Sequence, residues 1–169
     1  MSSDWTSFLA AVAAPDQPVA TLAALQVRFR SVVDARLFTV MVYEQKTGMA
    51  RRIHTSHPQE YPVSGTKPLS RGKWSDAIVG GRRCFVANTI EAISEVFPDH
   101  ELIKSLGCES VVNLPVLFAG EVIGTVNLLD RRDYYLPERV ARIESLAPFA
   151  TVALLATRCT DQAAAASGA

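Results

Sequence analysis

What this sequence lacks narrows the reading first. It has no net charge, with 17 Lys+Arg against 17 Asp+Glu, so bulk electrostatics favour neither nucleic acid nor an anionic membrane as a partner. The basic pairs Arg51-Arg52, Arg82-Arg83 and Arg131-Arg132 are too short for a phosphate track and read as solvated surface. No apolar run reaches the ~18–20 residues of a membrane span. The N-terminal MSSDWTSFLAAVAAPDQP has a small-residue apolar run but no basic n-region, and Asp4 stands where one belongs, which argues against a secretion signal. Cys84, Cys108 and Cys159 are odd in number and far apart, with neither a CxxC pair nor a disulfide framework. These absences together point to a reducing, cytoplasmic setting. His54, His57 and His100 have no partner at metal-ligand spacing, so no metal is implied.

What is present is an ordinary folded composition, 49% hydrophobic and 20% charged over 169 residues, enough for one domain with a real core. Residues 4–14 predict a short amphipathic helix, stopped by Pro15 and Pro18. A second helix over 19–34 shows a core stripe of Leu22, Leu25, Phe29 and Val32. Leu37 to Tyr43 is rich in β-formers and runs through the turn Glu44-Gln45-Lys46-Thr47-Gly48 into a strand from Met49 to Ser56. Arg52 and His54 share the polar parity of that strand. HPQEYPVSGTKPLSRG, from His57 to Gly72, holds three prolines and two glycines. It predicts an irregular cover. One or two helical turns follow over Trp74–Val79, then a short strand at 84–87. Asn88-Thr89 offers a cap for a helix over 90–96. Asp99-His100-Glu101 restarts a helix that Gly107 ends. A final helix from Pro137 to about Arg158 carries an expected kink at Pro148, and the Ala-rich 159–169 reads as a flexible tail. Hairpin-joined strands with segregated helices make an α+β domain around an antiparallel sheet.

The most informative stretch is GCESVVNLPVLFAGEVIGTVNLLD, two apolar strands that carry Asn113 and Asn127. Side chains alternate faces along a strand. Val112, Leu114 and Val116 therefore share one face, and Val111, Asn113 and Pro115 the other. In the partner strand Val122, Val126 and Leu128 oppose Ile123, Thr125 and Asn127. A three-residue loop, Phe118-Ala119-Gly120 with Gly120 left-handed, would set Asn113 opposite Thr125 and Val111 opposite Asn127. It would gather Asn113, Thr125 and Asn127 on one side; a two-residue loop would split them.

The form G-x-x-S-x-x-x-x-P-hydrophobic-x-x-x-G-x-x-x-G of this stretch resembles the closing hairpin of a GAF domain, a relative of the PAS fold. The order of elements agrees over roughly residues 18–158, with residues 1–17 as a helical extension. The resemblance implies a central antiparallel sheet with the terminal helices on one face and a loop- and helix-roofed pocket on the other. Asn113, Thr125 and Asn127 would then face the pocket. Tyr43, Tyr61, Trp74 and Phe97 would supply flat apolar surfaces for a ligand, and Arg52 and His54 polar contacts, Arg52 as a carboxylate clamp.

The resemblance also bounds the chemistry. The Asn-Lys-x-x-x-Phe-x-x-x-Asp-Glu motif of cyclic-nucleotide-binding members is absent, and so is the Cys-His pair of bilin-binding ones. The comparable single-domain enzymes are free methionine-R-sulfoxide reductases, whose nucleophilic cysteine lies farther upstream of the hairpin proline than Cys108 lies from Pro115. The resulting expectation is a stand-alone GAF module that binds a small organic molecule, a carboxylate or an aromatic metabolite, as a sensor. A thiol reductase using Cys84 and Cys108 is the alternative. No cofactor follows from these residues. The apolar circumference of the last helix (Val140, Ile143, Leu146, Phe149, Val152, Leu154, Leu155) predicts a homodimer through the N- and C-terminal helices.

Overall fold

The computed structural model describes residues 2–44, 47–63, 65–69 and 71–167. Gln45 and Lys46 of the predicted turn, Ser64 and Ser70 of the predicted cover, and the last two residues of the tail lie outside the described residues. The chain begins with α1 (Ser2–Val12) and α2 (Val19–Arg30), followed by β1 (Leu37–Glu44), β2 (Met49–Thr55) and β3 (Thr66–Pro68). A short α3 (Lys73–Ser75) runs into a π-helical turn, Asp76–Gly80, and leads to β4 (Phe85–Ala87), α4 (Ile90–Ser94) and α5 (His100–Ser105). The closing hairpin, β5 (Ser110–Phe118) and β6 (Glu121–Asp130), precedes α6 (Pro137–Glu144) and α7 (Ala147–Ser167). The six strands pair antiparallel in the order β3-β2-β1-β6-β5-β4.

β1 and β6 are the inner pair, and every residue of β1 except Glu44 is buried. Phe38, Val40 and Val42 pack with Val112, Leu114, Val116, Val126 and Leu128 beneath α1, α2 and α7. Leu22, Leu25 and Phe29 are the buried stripe of α2, as their spacing predicts. Trp5 of α1 stacks on Phe149 of α7 at 3.9 Å. The apolar circumference of α7 is thus covered within the chain on two sides, by the sheet and by α1 and α2. That accounts for much of the apolar surface from which a dimer was expected.

Several elements differ from the sequence reading for identifiable reasons. The cover from His57 to Gly72 is not wholly irregular: Thr66, Lys67 and Pro68 pair with Arg51, Ala50 and Met49 as an edge strand. Proline is tolerated there because an edge residue needs no outward donor. The last helix is broken into α6 and α7, which meet at a 46° bend, and Pro148 lies at the start of α7, where its missing N–H has no partner to lose. α7 then continues through the Ala-rich stretch to Ser167, as alanine's high helix propensity allows. Among the described residues no single helix is long and apolar enough to cross a membrane.

The hairpin turn is also different. Phe118 pairs with Glu121, leaving a two-residue turn of Ala119 and Gly120, both at positive φ. That turn alone would have moved Asn127 to the other face. A bulge between Val116 and Leu117 adds one residue on β6, at Ile123, and restores the parity. Asn113 consequently pairs with Asn127, not Thr125, and Val111 with Leu129. The bulge also exchanges two assignments: Ile123 joins the core under the helices, whereas Val122 packs on the opposite side with Met41, Tyr43 and Trp74.

Candidate functional site

The face of the sheet away from α1, α2 and α7 holds a cavity of about 340 Å³, near the small end of the ~300–1,000 Å³ typical of ligand pockets. Alternate residues of β1 (Leu37, Thr39, Met41, Tyr43) form its floor with Val111 and Asn113 of β5 and Thr125, Asn127 and Leu129 of β6. Its roof comes from the segments between β2 and β5, through Tyr61, Leu69, Trp74, Val96, Phe97 and Asp99. The wall is mostly apolar, so the few polar groups in it can orient whatever enters.

Those polar groups form two sets. The first crosses the floor as a chain of hydrogen bonds. Trp74 Nε1 donates to Asn113 Oδ1 at 3.1 Å, Asn113 Nδ2 to Asn127 Oδ1 at 2.7 Å, and Asn127 Nδ2 to Thr39 Oγ1 at 3.1 Å. The asparagines therefore satisfy each other and tie the roof to the floor through Trp74. Alongside them Tyr43 donates its hydroxyl to Thr125 Oγ1 at 3.0 Å, and burial raises its pKa above the ordinary tyrosine range.

The second set stands where the loop after β2 meets α5. Arg52 donates through Nη1 to the Pro62 carbonyl at 3.0 Å, and its guanidinium lies over the Tyr61 ring at 4.6 Å. Burial lowers the Arg52 pKa, opposed by Tyr61 and Asp99. Tyr61 in turn donates to Asp99 Oδ2 at 2.7 Å; burial first, and then the neighbouring carboxylate, push its pKa up, so it stays a donor. Two atoms of this set, Arg52 Nε and Asp99 Oδ1, are buried without a partner. Such a group costs about 1–3 kcal/mol when left unmet.

The cavity brings together Tyr43, Arg52, Tyr61, Trp74, Phe97, Asn113, Thr125 and Asn127, all of which the sequence singled out. His54 is not among them. A bulge between Val40 and Met41 places an extra residue, Ile53, between Arg52 and His54. Arg52 faces the cavity, while His54 turns toward the helices, edge-on to Phe38 and bonded to Gln26 Oε1 at 2.6 Å. Sequence reasoning missed Thr39, Met41 and Asp99. Thr39 and Met41 share Tyr43's parity on β1 and were open to the same counting that found the asparagines. Asp99 was read as a helix opener, and only the fold reveals its bond to Tyr61.

The thiols are elsewhere. Cys84 packs into the core beneath the helices, and Cys108 is buried on the cavity side of the sheet without lining the cavity. Phe85, next to Cys84, pairs with Asn113 inside β5, whereas Cys108 lies before the start of that strand at Ser110, so the two cysteines are not cross-strand neighbours. Burial pushes the Cys84 thiol up to about 12 and that of Cys108 up to about 11, so neither is thiolate at neutral pH. Among the described residues no group of His, Cys, Asp and Glu could hold a metal ion.

A family model described as GAF domain matches residues 19–155. Solved structures agree in fold at low identity. The GAF domain of a two-component sensor histidine kinase from Bacillus halodurans superposes with a TM-score of 0.67 at 10% identity, covering 88% of this chain and 98% of that one. The GAF domain of an Acinetobacter phosphoenolpyruvate-protein phosphotransferase gives 0.69 at 9% identity, with 95% and 96% covered. The free methionine-R-sulfoxide reductase of Neisseria meningitidis, solved with its substrate, gives 0.65 at 17% identity, with 92% and 88% covered. No curated protein sequence matches the chain.

Proposed function

The chain belongs to the GAF domain family, whose members are regulatory and sensory modules, and we propose that it works as one by binding a small organic molecule in the cavity over β1, β5 and β6. The observation that carries this reading is the contrast within the cavity wall. Aromatic and aliphatic surfaces (Met41, Leu69, Trp74, Phe97) enclose space for a flat or apolar body, and Arg52 is the one cationic side chain among the described lining residues, of a kind suited to a carboxylate. The Asn113–Asn127 chain is already satisfied within the protein, so its part is to hold the floor and roof in register.

A thiol-reductase reading has no comparable support. Its two cysteines lie on opposite faces of the sheet with raised pKa values, and the likeness to the Neisseria meningitidis enzyme is one of fold.

Thermal-shift screening against small aromatic and aliphatic carboxylates tests the proposal. Saturable stabilisation by some of them, lost in Arg52→Gln, is expected. Absence of any stabilising compound, or stabilisation indifferent to Arg52, would overturn it.

A further inference from the structure

Resting on that binding reading, we propose that the ligand is a zwitterion: an apolar or aromatic body whose anionic group is taken by Arg52 and whose adjacent protonated amine is taken by Asp99. The cavity's polar lining residues divide into a neutral set and a charged pair. Along the floor, Trp74, Asn113, Asn127 and Thr39 bond to one another, as do Tyr43 and Thr125. The described lining residues that remain include one cation, Arg52, and one anion, Asp99.

The two lie on either side of one side chain. Tyr61 carries the guanidinium over its ring at 4.6 Å and gives its hydroxyl to the other oxygen of Asp99 at 2.7 Å. Tyr61 therefore contacts both charged groups and holds them in place in one part of the lining. A simple carboxylate would match Arg52 but bring like charge to the part of the lining that holds Asp99. A simple amine would do the converse. A molecule with both functions matches both charges, and its remaining body extends toward Met41, Leu69, Trp74 and Phe97. An apolar α-amino acid has this arrangement.

Three probes sharing one aromatic body separate the possibilities by isothermal titration calorimetry: L-phenylalanine, 3-phenylpropanoate and 2-phenylethylamine. The expected result is that L-phenylalanine binds at least tenfold more tightly than either of the others. Asp99→Asn should remove its advantage over 3-phenylpropanoate, and Arg52→Gln its advantage over 2-phenylethylamine. Because the ranking is measured first on the unaltered protein, it stands even if a variant misfolds. Equal or tighter binding of 3-phenylpropanoate overturns the zwitterion while leaving the carboxylate-binding function intact. Equal or tighter binding of 2-phenylethylamine overturns the zwitterion and the role of Arg52. Failure of all three to bind overturns the inference, while the broader carboxylate screen then decides the reading beneath it.

Discussion

Asn113 and Asn127 face each other across β5 and β6, with Nδ2 of the first donating to Oδ1 of the second at 2.7 Å in a buried chain from Trp74 to Thr39. The pair is an internal strut for the cavity. Asn113→Ala leaves the Trp74 N–H and the Asn127 carbonyl without partners, and should cost about 1–3 kcal/mol in urea unfolding. The double variant Asn113→Ala/Asn127→Ala should be less destabilised than the sum of the singles, with a coupling of about 0.5–3 kcal/mol. Strict additivity would show that the two amides act independently.

Gly124 sits at the bulge of β6, opposite Val116. A Cβ built there would land on the Met41 carbonyl oxygen and within 2.5 Å of Leu154 Cδ2. Neither the central strand nor α7 can retreat cheaply, so Gly124→Ala should lower stability by roughly 3 kcal/mol or more. A thermal melt of the purified variant checks this, and a wild-type melting temperature would contradict the packing described.

Ala119 is the first residue of the β5–β6 turn and has φ of +50°. A left-handed alanine is strained, whereas asparagine and glycine are at ease in such turns. Ala119→Asn and Ala119→Gly should each stabilise the protein by about 0.5–1 kcal/mol, read in denaturant unfolding. Destabilisation by both would contradict a two-residue turn.

His54 gives the protein a pH dependence. Burial lowers its pKa in the folded chain, so the unfolded chain takes up a proton first as the pH falls. Its contribution is complete above the unfolded value of about 6.5 and declines as the pH drops below that toward the folded pKa. The melting-temperature difference between wild type and His54→Gln should be constant above neutrality and move against the wild type below about pH 6.5. A difference that does not change with pH would contradict the burial of this imidazole.

Much of the fold was legible because it is written in local signals. The hydrophobic stripe of α2, the Thr89 cap (its side chain accepting from the Ala92 N–H) and the glycine-spaced closing hairpin each act over a few residues. Strand parity likewise located the asparagine cluster. What parity could not carry was a one-residue irregularity. The bulges at Ile53 and Ile123 leave no mark in an alternating apolar pattern, yet one turned His54 out of the site and the other exchanged Val122 and Ile123. The cluster itself survived because a shortened turn and a bulge each shifted the register by one residue. Asp99 was illegible for another reason: its role depends on a partner 38 positions away in sequence, on a loop with no regular structure of its own.

The central claim is that a small molecule enters the space between the sheet and Trp74. The indole N–H of Trp74 reports on it directly, since it is buried at the cavity wall and bonded to Asn113; the other tryptophan, Trp5, lies on the far side against Phe149. The measurement is a titration of ¹⁵N-labelled protein with the small aromatic and aliphatic carboxylates of the screen, L-phenylalanine and 3-phenylpropanoate among them, following both indole resonances. The Trp74 signal should move saturably while that of Trp5 stays in place. A Trp74 signal unmoved at millimolar concentrations of every one of these compounds, or movement confined to Trp5, would contradict the account.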